Sequence, residues 1–152
     1  MFLKSLTISS GEHIVRDIRF HNGINLIVDE TLNADGKETG NNVGKTAVLM
    51  LIDFCLGAEG KQIYTDPENK REEYKAVKSF LIEKEVLIKL ILKEDLSNEY
   101  STEICIERNF LGRNKKIIRI NGVHKKTKTK DKVDEFEETL TNNLFPGHYG
   151  NK

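Results

Sequence analysis

Residues 39–46 read Thr-Gly-Asn-Asn-Val-Gly-Lys-Thr, a run whose ending, Gly44-Lys45-Thr46, has the residue types that hold phosphate. A Gly-containing loop that opens a helix presents backbone N–H groups to phosphate oxygens, and the positive end of the helix dipole adds to them. Lys45 would place a point charge on the β- and γ-phosphates, and the Thr46 hydroxyl would take one Mg²⁺ position. In the full pattern G-x-x-x-x-G-K-[ST] the first Gly falls on Thr39 in this chain. Gly40, one residue later, offers the conformational freedom instead, and Asn42 tolerates left-handed backbone better than most residues. The candidate nucleotide-binding run is therefore Gly40, Asn41, Asn42, Val43, Gly44, Lys45, Thr46 and Ala47, with Thr46 as the metal ligand. Its cofactors would be ATP and Mg²⁺. The competing reading is a Gly-Asn turn ahead of an ordinary helix.

What separates the two is the setting, since a phosphate loop needs a strand before it and a helix after it. Ile24 to Val28 is a short, nearly continuous apolar run, the pattern of a strand buried on both faces. Residues 44–56 repeat apolar positions at helical spacing (Ala47, Val48, Leu51, Ile52, Cys55), and Gly57 is a good stop. Two runs mimic the acidic end of a Walker B strand. Asp29-Glu30 belongs to the segment that already feeds the loop and reads as two solvated acids at a strand end, and Asp53 lies on the helix as a partly exposed or capping polar residue.

Ahead of this unit, residues 2–9 alternate and read as a strand. Residues 14–20 read as a second strand, with Ile14, Ile18 and Phe20 on one face and Arg16 and Arg19 toward solvent. After it, residues 58–78 form a highly charged insertion, read as solvated, with a short helix over 67–74. Residues 79–83, 86–92, 100–108 and 116–121 read as strands of an antiparallel meander with short connections, and Asn121-Gly122 is a turn signal. A helix over 129–144 would turn Val133, Phe136, Leu140 and Leu144 to one face. The chain thus divides into residues 1–57 (strands, loop and helix), 58–78 (insertion), 79–122 (meander) and 123–152 (basic turn and final helix), all within one partial domain.

A chain of 152 residues can bury a real core. With 24 basic and 24 acidic residues it has no net field favouring nucleic acid or a membrane, so any such contact must rest on a local patch. Cys55 and Cys105 are too few for a disulfide framework and read as small core residues of a reduced, cytoplasmic protein. No apolar run reaches membrane-spanning length, and Lys4 with its polar neighbours argues against a signal peptide. His13, His21, His124 and His148 are scattered without metal spacing.

The order of elements resembles the N-terminal half of an ABC-type ATPase head of the SMC/RecN/RecF group. The residues that carry the resemblance are Phe2 to Ile8, Gly23-Ile24-Asn25-Leu26-Ile27-Val28, Asn41 to Thr46, and Leu51-Ile52-Asp53-Phe54-Cys55-Leu56-Gly57. The last run is similar to a branch of uncharacterised bacterial SMC-like proteins. The implied fold class is α/β, a P-loop NTPase lobe with an antiparallel β meander and few helices. Thr39 and Asn42 stand where the group usually has Gly. In that group the signature Ser-Gly-Gly, the Walker B strand and the switch His lie in a C-terminal half beyond a coiled coil, and this sequence offers none of them. The resemblance therefore implies an ATP-binding part of an SMC-like ATPase in DNA repair or defence. It implies as partner a C-terminal half or a second head, and no catalytic residue in this chain.

A basic stretch, Arg113, Lys115, Lys116, Arg119, Lys125, Lys126, Lys128, Lys130 and Lys132, is the candidate DNA contact, centred on Lys115, Lys116, Lys125, Lys126 and Lys128. Its charge would act on phosphates without reading sequence. In the SMC-like group, basic residues of the first strands reach the nucleotide, which would be Arg16 or Arg19 here. Two rivals remain. A non-catalytic interaction module would keep the fold and have lost nucleotide. A different P-loop enzyme, such as a small GTPase or kinase, would need further parallel strand-helix units.

Overall fold

The computed structural model describes residues 1–28, 44–66, 69, 71–111, 116–125 and 135–144. Its strands are β1 (Phe2–Ser10), β2 (His13–Arg19), β3 (Leu87–Lys93), β4 (Glu103–Asn109), β5 (Lys116–Ile120) and β6 (Val123–Lys125). Its helices are α1 (Lys45–Cys55), α2 (Lys75–Glu83) and α3 (Glu135–Leu144), with a 3-10 turn at Gly60–Tyr64. The six strands form one sheet in the order β2-β1-β3-β4-β5-β6, with every ladder antiparallel. The chain is thus mixed α/β; β3, β4 and β5 are strands of the expected meander, and β6 extends it past residue 122 into the stretch read as a basic turn.

Alternation explains which face is covered. Leu6, Leu90, Ile106 and Ile118 are cross-strand partners in one row, and all four are buried. Neighbouring rows add Ile8 with Ile88, and Leu92 with Ile104 and Ile120. Directly opposed residues share a face, so these rows make one apolar surface. Leu51, Ile52, Phe54 and Cys55 of α1, Leu81 of α2, and Phe136 and Leu140 of α3 join the same core. All three helices therefore lie on one side, a two-layer arrangement. The other face carries Asp17, Thr7, Lys89, Glu107 and Ile117 in one row and Ser5, Ile91, Cys105 and Arg119 in the next. There Glu107 accepts an ion pair from Arg119 at 2.8 Å.

The turns follow residue chemistry. Asn121 and Gly122 both have positive φ (48° and 78°) and join β5 to β6, the two-residue hairpin that an Asn-Gly pair favours. The end of α2 is a Schellman closure: Val86 N–H donates to Leu81 C=O (3.0 Å) and Glu85 N–H to Ile82 C=O (3.1 Å). Glu85 takes the left-handed position, φ 48°, that Gly usually fills. The Ser10 hydroxyl donates to Lys84 C=O at 2.7 Å and ties the end of β1 to this corner.

Four expectations need correction. Residues 24–28 form no strand and pair with none among the described residues, and Ile24 and Leu26 are 81% and 79% exposed. An apolar run becomes a strand only where a neighbour takes its backbone hydrogen bonds, and none does here. Residues 79–83 are the end of helix α2, not a strand. Lys75, Ala76 and Lys78 are strong helix formers that start the helix earlier, and Leu81 is the position it buries. Within 67–74, the described residues 71–74 form a turn and the Thr65–Glu73 bridge instead of a helix. Tyr74 N–H donates to Tyr64 C=O at 2.7 Å, so this stretch folds back on the 3-10 turn. Finally, Ile14 is exposed. A bulge in the β1–β2 ladder makes Val15 an extra residue and turns Ile14 to the open face.

Candidate functional site

Of the nucleotide-binding run, Gly40, Asn41, Asn42 and Val43 lie outside the described residues, while Gly44, Lys45, Thr46 and Ala47 form the start of α1. Gly44 is the N-cap and adopts φ 72°, ψ 18°, a left-handed conformation that costs Gly almost nothing. The first intrahelical hydrogen bond runs from Val48 N–H to Gly44 C=O at 3.2 Å. The N–H groups of Lys45, Thr46 and Ala47 thus precede the helical ladder, at the end where the dipole is positive. Gly44 and Thr46 are exposed and Lys45 is half-buried. No acidic residue stands in the first turn of α1. These residues fit a phosphate group and a hydrated Mg²⁺ at the Thr46 hydroxyl. Asp53, on the same helix, is exposed.

Four buried residues hold this helix in place: Leu51 and Ile52 in its middle, Phe54 and Cys55 at its end. Burial pushes the Cys55 thiol up to about 12, against a weaker downward pull from Arg108. Arg108, near the end of β4, reaches the last turn, where its Nη1 donates to the carbonyl oxygens of Phe54 and Ala58. Sequence reading overlooked Arg108. The available signal was parity, because Ile104, Ile106 and Arg108 alternate on the helix-bearing face.

The two arginines of β2 separate. Arg16 opposes Ile8 and so lies on the helix-bearing face, at the sheet edge. Arg19 opposes Ser5 on the other face and pairs with Asp17 at 3.3 Å. Thr7 and Arg19 hydrogen-bond the Asp17 carboxylate and hold its pKa below the ordinary value. Only Arg16 is on the side that carries α1.

Of the basic stretch, Arg113, Lys115, Lys126, Lys128, Lys130 and Lys132 lie outside the described residues. Lys116 packs its ammonium 5.5 Å from the Phe136 ring centre, and Arg119 is engaged with Glu107. Lys125 is exposed on β6. By register, Lys116 opposes Arg108 and Lys125 opposes Ile118, which places both on the helix-bearing face.

Among the described residues no group of three or more His, Cys, Asp or Glu is placed to hold a metal. No helix among them is long and apolar enough to cross a membrane. No protein-family model matches the chain, and no curated protein matches it.

Proposed function

We propose that this chain is the ATP-binding part of an SMC/RecN-like ATPase acting on DNA. The observation that carries the reading is the start of α1: a left-handed Gly44 followed by Lys45 and Thr46, with their N–H groups ahead of the first helical hydrogen bond. Lys45 would hold the β- and γ-phosphates, Thr46 the Mg²⁺, and the N–H groups of the first turn the phosphate oxygens. Bound there, the nucleotide would supply the free energy of phosphoryl transfer. The chain's own residues bind and orient it, and no group in this sequence is suited to orient an attacking water. Hydrolysis would need a second segment that brings those groups, and losing each typically costs about 10²-fold or more in rate. Antiparallel pairing throughout disfavours a small GTPase or kinase, which would be built on parallel strand-helix units.

Calorimetry of Mg-ATP and Mg-GTP with the purified chain tests the reading. Expected is ATP binding that Lys45→Ala weakens by at least about tenfold, the loss of a charge-assisted contact of roughly 1.5–3 kcal/mol, with a smaller loss for Thr46→Ala. A folded wild-type chain that binds neither nucleotide at millimolar concentration, alone or with its partner segment, overturns it.

A further inference from the structure

The C-terminal end of α1 is gripped by a single buried cation. Arg108 is 4% exposed. It donates to the Phe54 carbonyl oxygen, and to that of Ala58 at 3.1 Å. Its guanidinium lies 4.0 Å from the Phe54 ring centre and 5.3 Å from that of Phe136, in α3. Phe54 stacks on Phe110 with centroids 4.6 Å apart. Gly60 backs this stack so closely that a Cβ there would stand 3.0 Å from the Phe54 ring. Lys116, at the start of β5, meets Phe136 as well. One side chain therefore touches the last turn of α1, Ala58 three residues beyond it, and the first turn of α3.

Three physical points give this junction a role beyond packing. The last carbonyls of a helix carry partial negative charge, so a cation among them fixes where the helix ends. A guanidinium is planar and bonds in a fixed fork, so it resists small displacements that an aliphatic side chain would absorb. A buried charge is a poor way to gain stability and a good way to fix a register. Among the described residues α3 buries Phe136 and Leu140, with Leu144 partly covered. Elements open locally at free energies below that of global unfolding, so a small bias can shift the population of one.

We infer that Arg108 and Phe136 couple the phosphate end of α1 to α3, so that nucleotide at the loop makes α3 sit more firmly on the sheet. This rests on the nucleotide-binding reading above. A rigid helix delivers a shift of its start to its end, where Arg108 passes it to Phe136. Lys116, which meets Phe136, would then be placed according to nucleotide state.

Hydrogen exchange of the full chain, with and without saturating Mg-ATP, tests the coupling in wild type, Arg108→Met and Phe136→Leu. In wild type, Mg-ATP is expected to slow exchange of the α3 amides by about fivefold or more, the lower edge of ordinary coupling. Both variants are expected to bind Mg-ATP by calorimetry while α3 exchange no longer responds to it. Phe136→Leu keeps an apolar side chain in the core and carries the test if Arg108→Met does not fold. Destabilised α3 alone would raise exchange equally with and without nucleotide, so the response to ATP is the diagnostic quantity. Wild type that binds ATP with unchanged α3 exchange overturns the coupling and leaves the nucleotide reading standing, as does a full response in the variants. Wild type that binds no ATP, alone or with its partner segment, overturns both.

Discussion

Cys55 shows at the scale of one residue how burial converts into pH dependence. Its thiol has an ordinary pKa of 9.0, pushed up to about 12 by desolvation in the core. The native state therefore keeps a proton that the unfolded chain releases. The associated stability is fully present below about pH 9 and declines as pH rises toward 12. The slope is at most about 1.4 kcal/mol per pH unit for one proton. Denaturant titrations between neutral and strongly alkaline pH are expected to show this loss, with a shallower decline in Cys55→Ala despite a cost of ~1 kcal/mol at neutral pH. An equal slope in the two proteins would assign the alkaline loss elsewhere. The same burial makes Cys55 inert to thiol reagents until the chain unfolds. The start of α1 after Gly44 was legible before the fold was known, since Ala47, Val48, Leu51, Ile52 and Cys55 recur at helical spacing. Arg108 was not, because an Arg in a charged sequence reads as solvent-facing until the row it shares with Ile104 and Ile106 is seen to be covered.

At the scale of elements, α2 ends on a residue that does not suit its conformation. Glu85 holds φ 48° and is exposed, so its side chain contributes little there. A left-handed residue with a Cβ costs roughly 1–2 kcal/mol, and Gly gives back about 0.5–1 kcal/mol in unfolded-state entropy. Glu85→Gly is expected to stabilise the protein by about 0.5–1 kcal/mol, read as a rise in Tm of roughly 2–4 °C. A fall in Tm would mean that the carboxylate makes a compensating contact. The long strands and both ends of α1 were readable because their periodicity persists over whole elements. Residues 79–83 were misread as a strand because the window caught only the end of a helix whose signal begins at Lys75. Ile24 to Val28 has the composition of a buried strand, but composition reports what a segment can do, and only a neighbour supplies its ladder.

For the whole molecule, that unpaired run is the main hydrophobic exposure on the described surface, and Leu49, Val77 and Phe80 add to it from the helices. Exposed apolar side chains clustered in one run favour self-association. Leu26→Lys is expected to reduce concentration-dependent mass in light scattering without lowering Tm, because Leu26 buries little. Unchanged association would direct attention to the helical residues instead. The sheet order has one more consequence. β1–β2, β3–β4, β4–β5 and β5–β6 all join strands adjacent in sequence, and only β1–β3 spans a long stretch of chain. Folding must therefore close one large loop, and that search sets its pace. The entropy of closing such a loop grows only logarithmically, about 0.6 kcal/mol for each doubling of length. That stretch itself includes β2, α1 and α2, so it is the connections between those elements whose length evolution can alter at low cost to the fold.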